Sequence, residues 1–339
     1  MPGILYREVR ILSNYIHFSN SGDGHLNLAA DGYFLENVKR GDVILYFYIN
    51  SNAVIIGRNQ NAWRECHVAN LRRDGVQLVR RHTGGGAVYH DEGNINFSFI
   101  MNEKNYDLER QLRVISRAVE KLGVKTELSG RNDILVDGKK FSGNAYGFKN
   151  GNRGHHGTVL VNTDLSRLGE YLNVSAAKMR AKGVESVRSR VCNLTEFAPD
   201  ATTETIRKYI CEAFIEEYGE ARPYAFESDE LAEIEKRRKR QASWEWRFGK
   251  TPQFELNIEN RFSFGELQLH LDLKEGRIRR IKAFSDCLDT ELVSAIESAL
   301  RSKRFEPDEL ARAVSRIDNK TASDEMSDFF MSKTFEKVD

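Results

Sequence analysis

The sequence predicts an α+β protein in two units, a large N-terminal one built on short strands and a small C-terminal one. Three observations carry this. The chain has 339 residues, more than one small core organises. Between Pro2 and Pro199 it contains no proline, and that stretch is dense in short β-branched and aromatic runs. Beyond Pro252, strand-like runs give way to two helical patterns, which fits an α+β unit of its own. The boundary falls at Phe248-Gly249-Lys250-Thr251-Pro252, separating 1–248 from 253–339.

In chain order, 42–49, 53–57 and 76–81 read as strands bounded by polar residues or glycine. In 94–99, Ile95, Phe97 and Phe99 alternate with polar residues, the pattern of a half-buried strand. Asp107 opens a helix on which Leu108, Leu112, Ile115, Val119 and Leu122 recur at helical spacing, and Gly123 can close it. Ile134-Leu135-Val136 and 140–146 flank Asp137-Gly138, a tight hairpin signal. A strand is expected at 157–161, with helices at 165–172 and 203–218. In the second unit, 261–273 and 277–284 read as two strands joined at Lys274-Glu275-Gly276. One helix follows on Leu292, Ile296 and Leu300, and another from Pro307 on Leu310, Val314 and Ile317. The tail after Asp318 is polar apart from Phe329-Phe330-Met331.

The formal charge is +1, so bulk charge does not announce a nucleic-acid or membrane partner. No apolar run approaches a membrane span, and the first residues lack the basic and apolar regions of a signal peptide. Cys66, Cys192, Cys211 and Cys287 show no CxxC spacing, so neither a zinc site nor a disulfide framework is expected and a cytoplasmic location is.

Gly84-Gly85-Gly86 carries the first chemical signal. No Gly-Lys-Ser/Thr follows, so it is not a Walker loop. A strand follows in place of a helix, so it is not a dinucleotide fingerprint either. A glycine loop between strands can still present successive N–H groups to an anion, or be an exposed hairpin. Arg80 and Arg81 precede it on a strand and point to opposite faces, so only one is expected in a site. The same alternation allows at most one of Lys139 and Lys140 inward. His155-His156 diverge on a strand and lack an evident third metal ligand. Residues 178–191 concentrate lysine and arginine around Gly183, as either a solvated loop or a cover over a polyanion. The run 236–240, KRRKR, lies in a helical stretch without stacking aromatics and reads as a solvated face.

Several stretches in order resemble the bacterial lipoate–protein ligases, within the superfamily of biotin and lipoate ligases and octanoyltransferases. They are GRNQN at 57–61, RRHTGGGAVYHD at 80–91, GRND at 130–133, KFSGNAY at 140–146, HHGT at 155–158, KGVESVRSRV at 182–191 and SWEW at 243–246. The resemblance spans nearly the whole chain. It implies a catalytic domain with a mixed β-sheet and helices, followed by a small α+β accessory domain. It also implies a reaction in which lipoate and ATP, accompanied by Mg2+, give lipoyl-AMP and pyrophosphate. A lysine of an acceptor lipoyl domain then takes the acyl group, and the acceptors implied are E2 subunits of 2-oxoacid dehydrogenases and the glycine cleavage H protein.

By the same resemblance Lys140 is catalytic and touches both lipoate and ATP, and Arg81, Gly86, Ala87, Val88 and Tyr89 bind ATP. Gly84, Gly85, His156 and Gly157 line the lipoate site, and Lys182, Gly183, Val184 and Ser186 form an adenylate-covering loop. Asn132 and Asp133 support the site. The strands around 54–57 are expected to supply an apolar slot for the acyl chain. His82 stands where a small polar residue is common, and 27–31 (NLAAD) lacks a carboxylate often found there. Two rivals remain: an acyltransferase of the same fold using a Cys192 thioester, and a non-catalytic lipoyl-domain binder.

Overall fold

The computed structural model describes residues 13–129, 133–173, 191–251, 253–285, 287 and 289–332. An eight-stranded mixed sheet forms its centre. In spatial order its strands are β11 (Ala221–Pro223), β1 (Ser13–Phe18), β2 (Asp42–Tyr48), β6 (Asn94–Asn102), β10 (Asn152–Leu160), β9 (Lys139–Lys149), β8 (Asp133–Val136) and β7 (Glu127–Ser129). β1 is parallel to both neighbours, and the remaining pairs are antiparallel. Apolar faces of α4 (Leu108–Glu120) and α6 (Thr203–Tyr218) cover one side, packing Val114, Ile115 and Phe214 on Phe47, Phe97 and Phe99. α1 (Gly24–Asn37) and α7 (Ser228–Ala242) cover the other, where Phe34 and Ile234 join Tyr46 and Ile100.

A small second sheet, β4 (Gln77–Arg80), β3 (Ala53–Ile56) and β5 (Val88–His90), stands beside α1. Alternation divides its faces. Ala53, Ile55 and Val79 pack into the α1 core, whereas Val54, Ile56 and Leu78 enter a core shared with the C-terminal residues. That third core also takes in Trp63 of α2 (Ala62–Glu65), Leu71 of α3 (Val68–Arg73) and Tyr171 of α5 (Leu168–Tyr171). α8 (Trp244–Arg247) leads to an antiparallel sheet of β12 (Phe254–Phe262), β13 (Gly265–Lys274) and β14 (Arg277–Ser285). Helices α9 (Thr290–Leu300), α10 (Pro307–Val314) and α11 (Lys320–Ser332) complete this unit. The α+β class with a mixed central sheet is the one the sequence implied.

Caps explain the sharp helix ends. The Asp107 carboxylate accepts from Arg110 N and starts α4, and Thr202 does the same for α6 through Thr205 N. Asp137 and Gly138 both have positive φ, 47° and 73°, as the tight β8–β9 turn requires.

Three expectations are corrected, and the C-terminal tail is defined. β6 is buried on both faces rather than half-buried, because its polar alternates face α1 and a cavity instead of water. The stretch 261–273 is not one strand: it breaks at Ser263 and Phe264, between β12 and β13, so the C-terminal sheet has three strands. Residues 165–172 start as a 3-10 turn, Leu165–Arg167, before α5. The tail forms α11, with Phe329 and Phe330 buried and Met331 exposed.

Candidate active site

Between α1, the central sheet and the small sheet lies a cavity of about 1160 Å³. That exceeds the roughly 300–1,000 Å³ usual for a single small ligand and leaves room for two joined ones. It brings together Arg81, Gly85, Gly86, Ala87, Val88, Tyr89, Lys140, His156 and Gly157. Gly84 is outside its lining, and its carbonyl instead receives Arg81 Nε at 3.0 Å and Nη2 at 2.6 Å. Asn132, Lys182, Gly183, Val184 and Ser186 lie outside the described residues.

Lys140 reaches the cavity from the start of β9. Its ammonium lies 2.7 Å from Asp133 Oδ1, and both side chains are about one-third exposed. Lys139 turns away, toward Glu196 at 3.4 Å. Gly143 clears the space beneath the lysine, since a Cβ there would sit 2.8 Å from Lys140 Cε and Nζ. We therefore expect Gly143→Ala to displace the ammonium and, for the lipoate- and ATP-dependent activation that the resemblance implies, to slow pyrophosphate exchange at saturating substrate by about 10–100-fold. An unchanged rate would mean that the lysine has room to shift without loss.

Arg81 is buried against the glycine loop. Besides Gly84 O, its guanidinium donates to Gly86 O at 2.8 Å and Ile55 O at 3.2 Å. Bending the chain around a guanidinium leaves no room for side chains: Gly85 has φ of 98°, and a Cβ there would lie 2.5 Å from Arg81 Nη2. The loop carbonyls thus turn inward to Arg81. Burial lowers the Arg81 pKa to about 10, still far above neutrality, so the loop is wrapped on a fixed positive charge.

The apolar lining of the cavity includes Leu28, Leu35, Tyr48, Leu160, Leu168 and Leu172. From 54–57, the expected slot, only Ile55 contributes, because Val54 and Ile56 point into the opposite core. Sequence reasoning also missed Asp31 and His90, which line the same space. The signal for Asp31 was a carboxylate set among buried small residues, Ala29, Ala30 and Gly32, on a helix. His156 Nε2 is 3.0 Å from Thr83 Oγ1, and its Nδ1 is 3.8 Å from Asp31 Oδ2. Where the Thr83 hydroxyl donates to Nε2, the neutral imidazole carries its proton on Nδ1, toward the carboxylate. His155 is on the other side of β10, between Gln111 Oε1 and Asn144 Oδ1 at 2.9 and 2.8 Å. His82 receives Gln241 Nε2 at 2.9 Å and lies tilted against Trp246, its ring at 52° to the indole.

Burial, aided by the Arg81 charge, pushes the pKa of His156 and His90 down to about 3, and burial takes His25 and His82 to about 4. Burial pushes the Asp31 carboxyl up to about 6, opposed by the Ser98 hydroxyl. Between about pH 4 and 6.5 the unfolded chain binds more histidine protons than the fold does, so stability rises with pH. Each such histidine contributes up to about 1.4 kcal/mol per pH unit in that window. Asp31 has the opposite sign and offsets about one of them between pH 4 and 6. The expected result is a urea midpoint that falls clearly from pH 7 to pH 5. A flat or rising midpoint would contradict the neutral assignment.

Cys192 is fully buried in the α4–α6 core, with its thiol 3.6 Å from Lys139 O, and burial raises its pKa to about 11. Among the described residues all four cysteines are free, and no three His, Cys, Asp or Glu side chains converge as a metal site. No helix among them is long and apolar enough to cross a membrane.

With this geometry in hand, the relatives are informative. Residues 23–215 match the lipoyl protein ligase A/B catalytic domain, and 251–333 match the bacterial lipoate protein ligase C-terminus. A lipoate-protein ligase A from Psychrobacter cryohalolentis is 41% identical over 304 residues, covering 85% of this chain and 89% of the relative. One from Bdellovibrio bacteriovorus is 37% identical, covering 90% and 92%. Among solved structures, P. falciparum LipL1 in complex with lipoate superposes with a TM-score of 0.62 at 28% identity, covering 95% of this chain and 100% of that one. A lipoate-protein ligase A bound with ATP gives 0.61 at 28% identity, covering 70% and 100%. A bipartite lipoate protein ligase from Thermoplasma acidophilum, studied with its E2 lipoyl domain, gives 0.64 at 27% identity, covering 72% and 99%. On its sequence, its fold and the residues gathered in its cavity, the chain belongs to the lipoate–protein ligase family.

Proposed function

We propose that the protein is an ATP-dependent ligase that activates lipoate as lipoyl-AMP and transfers the lipoyl group to a lysine of acceptor lipoyl domains. The observation that carries this is the shared cavity, which joins an apolar slot, Lys140 and a glycine loop wrapped on Arg81. Relatives solved with lipoate or with ATP support the same two ligands here. In the first step a lipoate carboxylate oxygen attacks the α-phosphorus of ATP. The bond from that phosphorus to the bridging oxygen breaks, and pyrophosphate leaves with the electron pair. In the second step the neutral acceptor amine attacks the acyl carbon, AMP leaves, and the amine proton passes to solvent.

Two anions must meet in the first step, and fixed positive charge lowers that barrier. Lys140 is placed to hold the carboxylate and the α-phosphate together, as a compact charge able to follow moving oxygens. Arg81 and the backbone of 86–89 would cradle the phosphates, and Gly85, His156 and Gly157 would bound the acyl side, with Gly84 shaping the loop from outside the cavity. The loop containing Lys182, Gly183, Val184 and Ser186 would cover the adenylate against water, with Asn132 and Asp133 supporting Lys140. Mg2+ would enter on the phosphates of ATP, an ion that keeps several waters and needs few protein carboxylates. We also take 1–248 as the catalytic unit and 253–339 as an accessory one. The acceptors proposed are E2 lipoyl domains and the glycine cleavage H protein, the first in keeping with the archaeal relative studied with its E2 domain.

The test is lipoate-dependent ATP–pyrophosphate exchange, followed by the mass of an acceptor lipoyl domain after incubation. Exchange plus a lipoyl adduct is expected; an adduct without exchange would defeat the adenylate route. Cys192→Ala should leave both intact, because the thiol is buried and its pKa raised. Transfer lost with that substitution alone would favour the thioester acyltransferase, and binding of the acceptor without either product would favour the non-catalytic reading.

A further inference from the structure

Arg80 is the residue before Arg81 and lies on the opposite face of the strand, where it is fully buried. A buried guanidinium is costly unless the protein replaces its water. Here carbonyls and one hydroxyl do so, from two segments far apart in sequence. On one side Arg80 Nη1 reaches Gly57 O, Arg58 O and Gln60 O at 3.2, 3.0 and 2.6 Å. On the other, Nε and Nη2 reach Trp246 O, Arg247 O and Thr251 Oγ1 at 2.6–3.1 Å. Trp246 Nε1 answers by donating to Arg80 O at 2.8 Å.

The first of these segments touches the glycine loop directly. Arg58 N donates to Thr83 O at 2.8 Å, and a Cβ on Gly57 would overlap the Gly85 carbonyl oxygen. A continuous run of contacts therefore leads from 246–251 through Arg80 to the turn at 57–60 and on to Gly85. Arginine suits this place because its planar fork serves acceptors on two sides, whereas lysine offers one point of donors.

We infer that Arg80 is a positioning residue, tying the shape of the glycine loop to the segment 246–251 and so setting nucleotide affinity from behind the site. The inference rests on the ligase reading of the cavity. The experiment compares wild type, Arg80→Lys and Gly57→Ala in lipoate-dependent pyrophosphate exchange, with thermal melts to verify folding. Arg80→Lys should raise the KM for ATP by about 10-fold while the KM for lipoate stays within about 2-fold. Gly57→Ala should give the same split with Arg80 intact, because it displaces the Gly85 carbonyl directly. Folded variants with both constants unchanged, or both raised alike, overturn the inference. Hydrogen–deuterium exchange on wild type supplies a second readout that needs no variant to fold. ATP should slow exchange of backbone amides in 244–251 as well as in 84–89; slowing confined to 84–89 overturns the coupling. A wild type without exchange activity overturns the ligase reading itself, whereas an active one lacking the split overturns only the role of Arg80.

Discussion

Lys140→Ala should reduce lipoate-dependent pyrophosphate exchange on the order of 10³-fold while leaving the fold intact. The side chain is one-third exposed and contributes little to the core, so its removal is not expected to lower the melting temperature by more than a few degrees. On the proposed function the loss is catalytic, because the ammonium would be the cation where carboxylate and phosphate must approach. Removing one preorganised donor at a developing charge costs about 10²–10³-fold, and here one group serves two anions. Lys140→Arg should not restore the rate, since a planar fork on β9 cannot occupy the same point. Acyl transfer from chemically prepared lipoyl-AMP separates the steps. It should fall less than exchange in Lys140→Ala, and equal losses would shift the role of Lys140 to the second step.

Arg81→Ala should damage both stability and nucleotide use. Truncation leaves the carbonyls of Ile55, Gly84 and Gly86 without their donor, the first of them buried and the two glycines exposed. The unpaired Ile55 carbonyl and the lost packing would lower stability by about 1–3 kcal/mol. The glycine loop would lose the centre around which it bends, and kcat/KM for ATP should fall on the order of 10²-fold. Arg81→Lys separates shape from charge. It keeps a cation but cannot reach three carbonyls in the same geometry, so it should retain most of the stability loss. Near wild-type stability in Arg81→Lys would show that the loop needs only a nearby charge.

Much of the fold was legible because local chemistry decided it. Asp107, Thr202 and Asp137-Gly138 set ends and a turn through their own side chains or positive φ. The opposite facing of Arg80 and Arg81 followed from strand parity. What parity could not give was the purpose of each guanidinium, because Arg80 depends on acceptors at 246–251, far along the chain. β1 and β11 were not read either; they are short and paired in parallel, and their partners come from distant sequence. α1 hid its contribution for another reason: it is buried on several sides, so it carries no apolar stripe to mark Asp31 and Leu35 as cavity-facing. The buried asparagines of β6 broke the usual rule that polar alternates mean solvent.

The small sheet is a wall with two owners, and its numbering sorts them. In β3 and β4 the odd positions, Ala53, Ile55 and Val79, belong to the side of α1 and the cavity, as does Arg81 just beyond. The even positions, Val54, Ile56 and Leu78, belong to the core that holds the C-terminal sheet. In antiparallel β5 the parity inverts, with Val88 and His90 at the cavity and Tyr89 packed in the C-terminal core, from which it also reaches the cavity lining. Substitutions at neighbouring positions here therefore address different halves of the molecule, and a scan of single variants should separate into interleaved classes. One class would loosen the α1 core that backs the cavity and lose ligand affinity together with stability, the other would lose stability with substrate affinity spared, and Arg80 would belong to both.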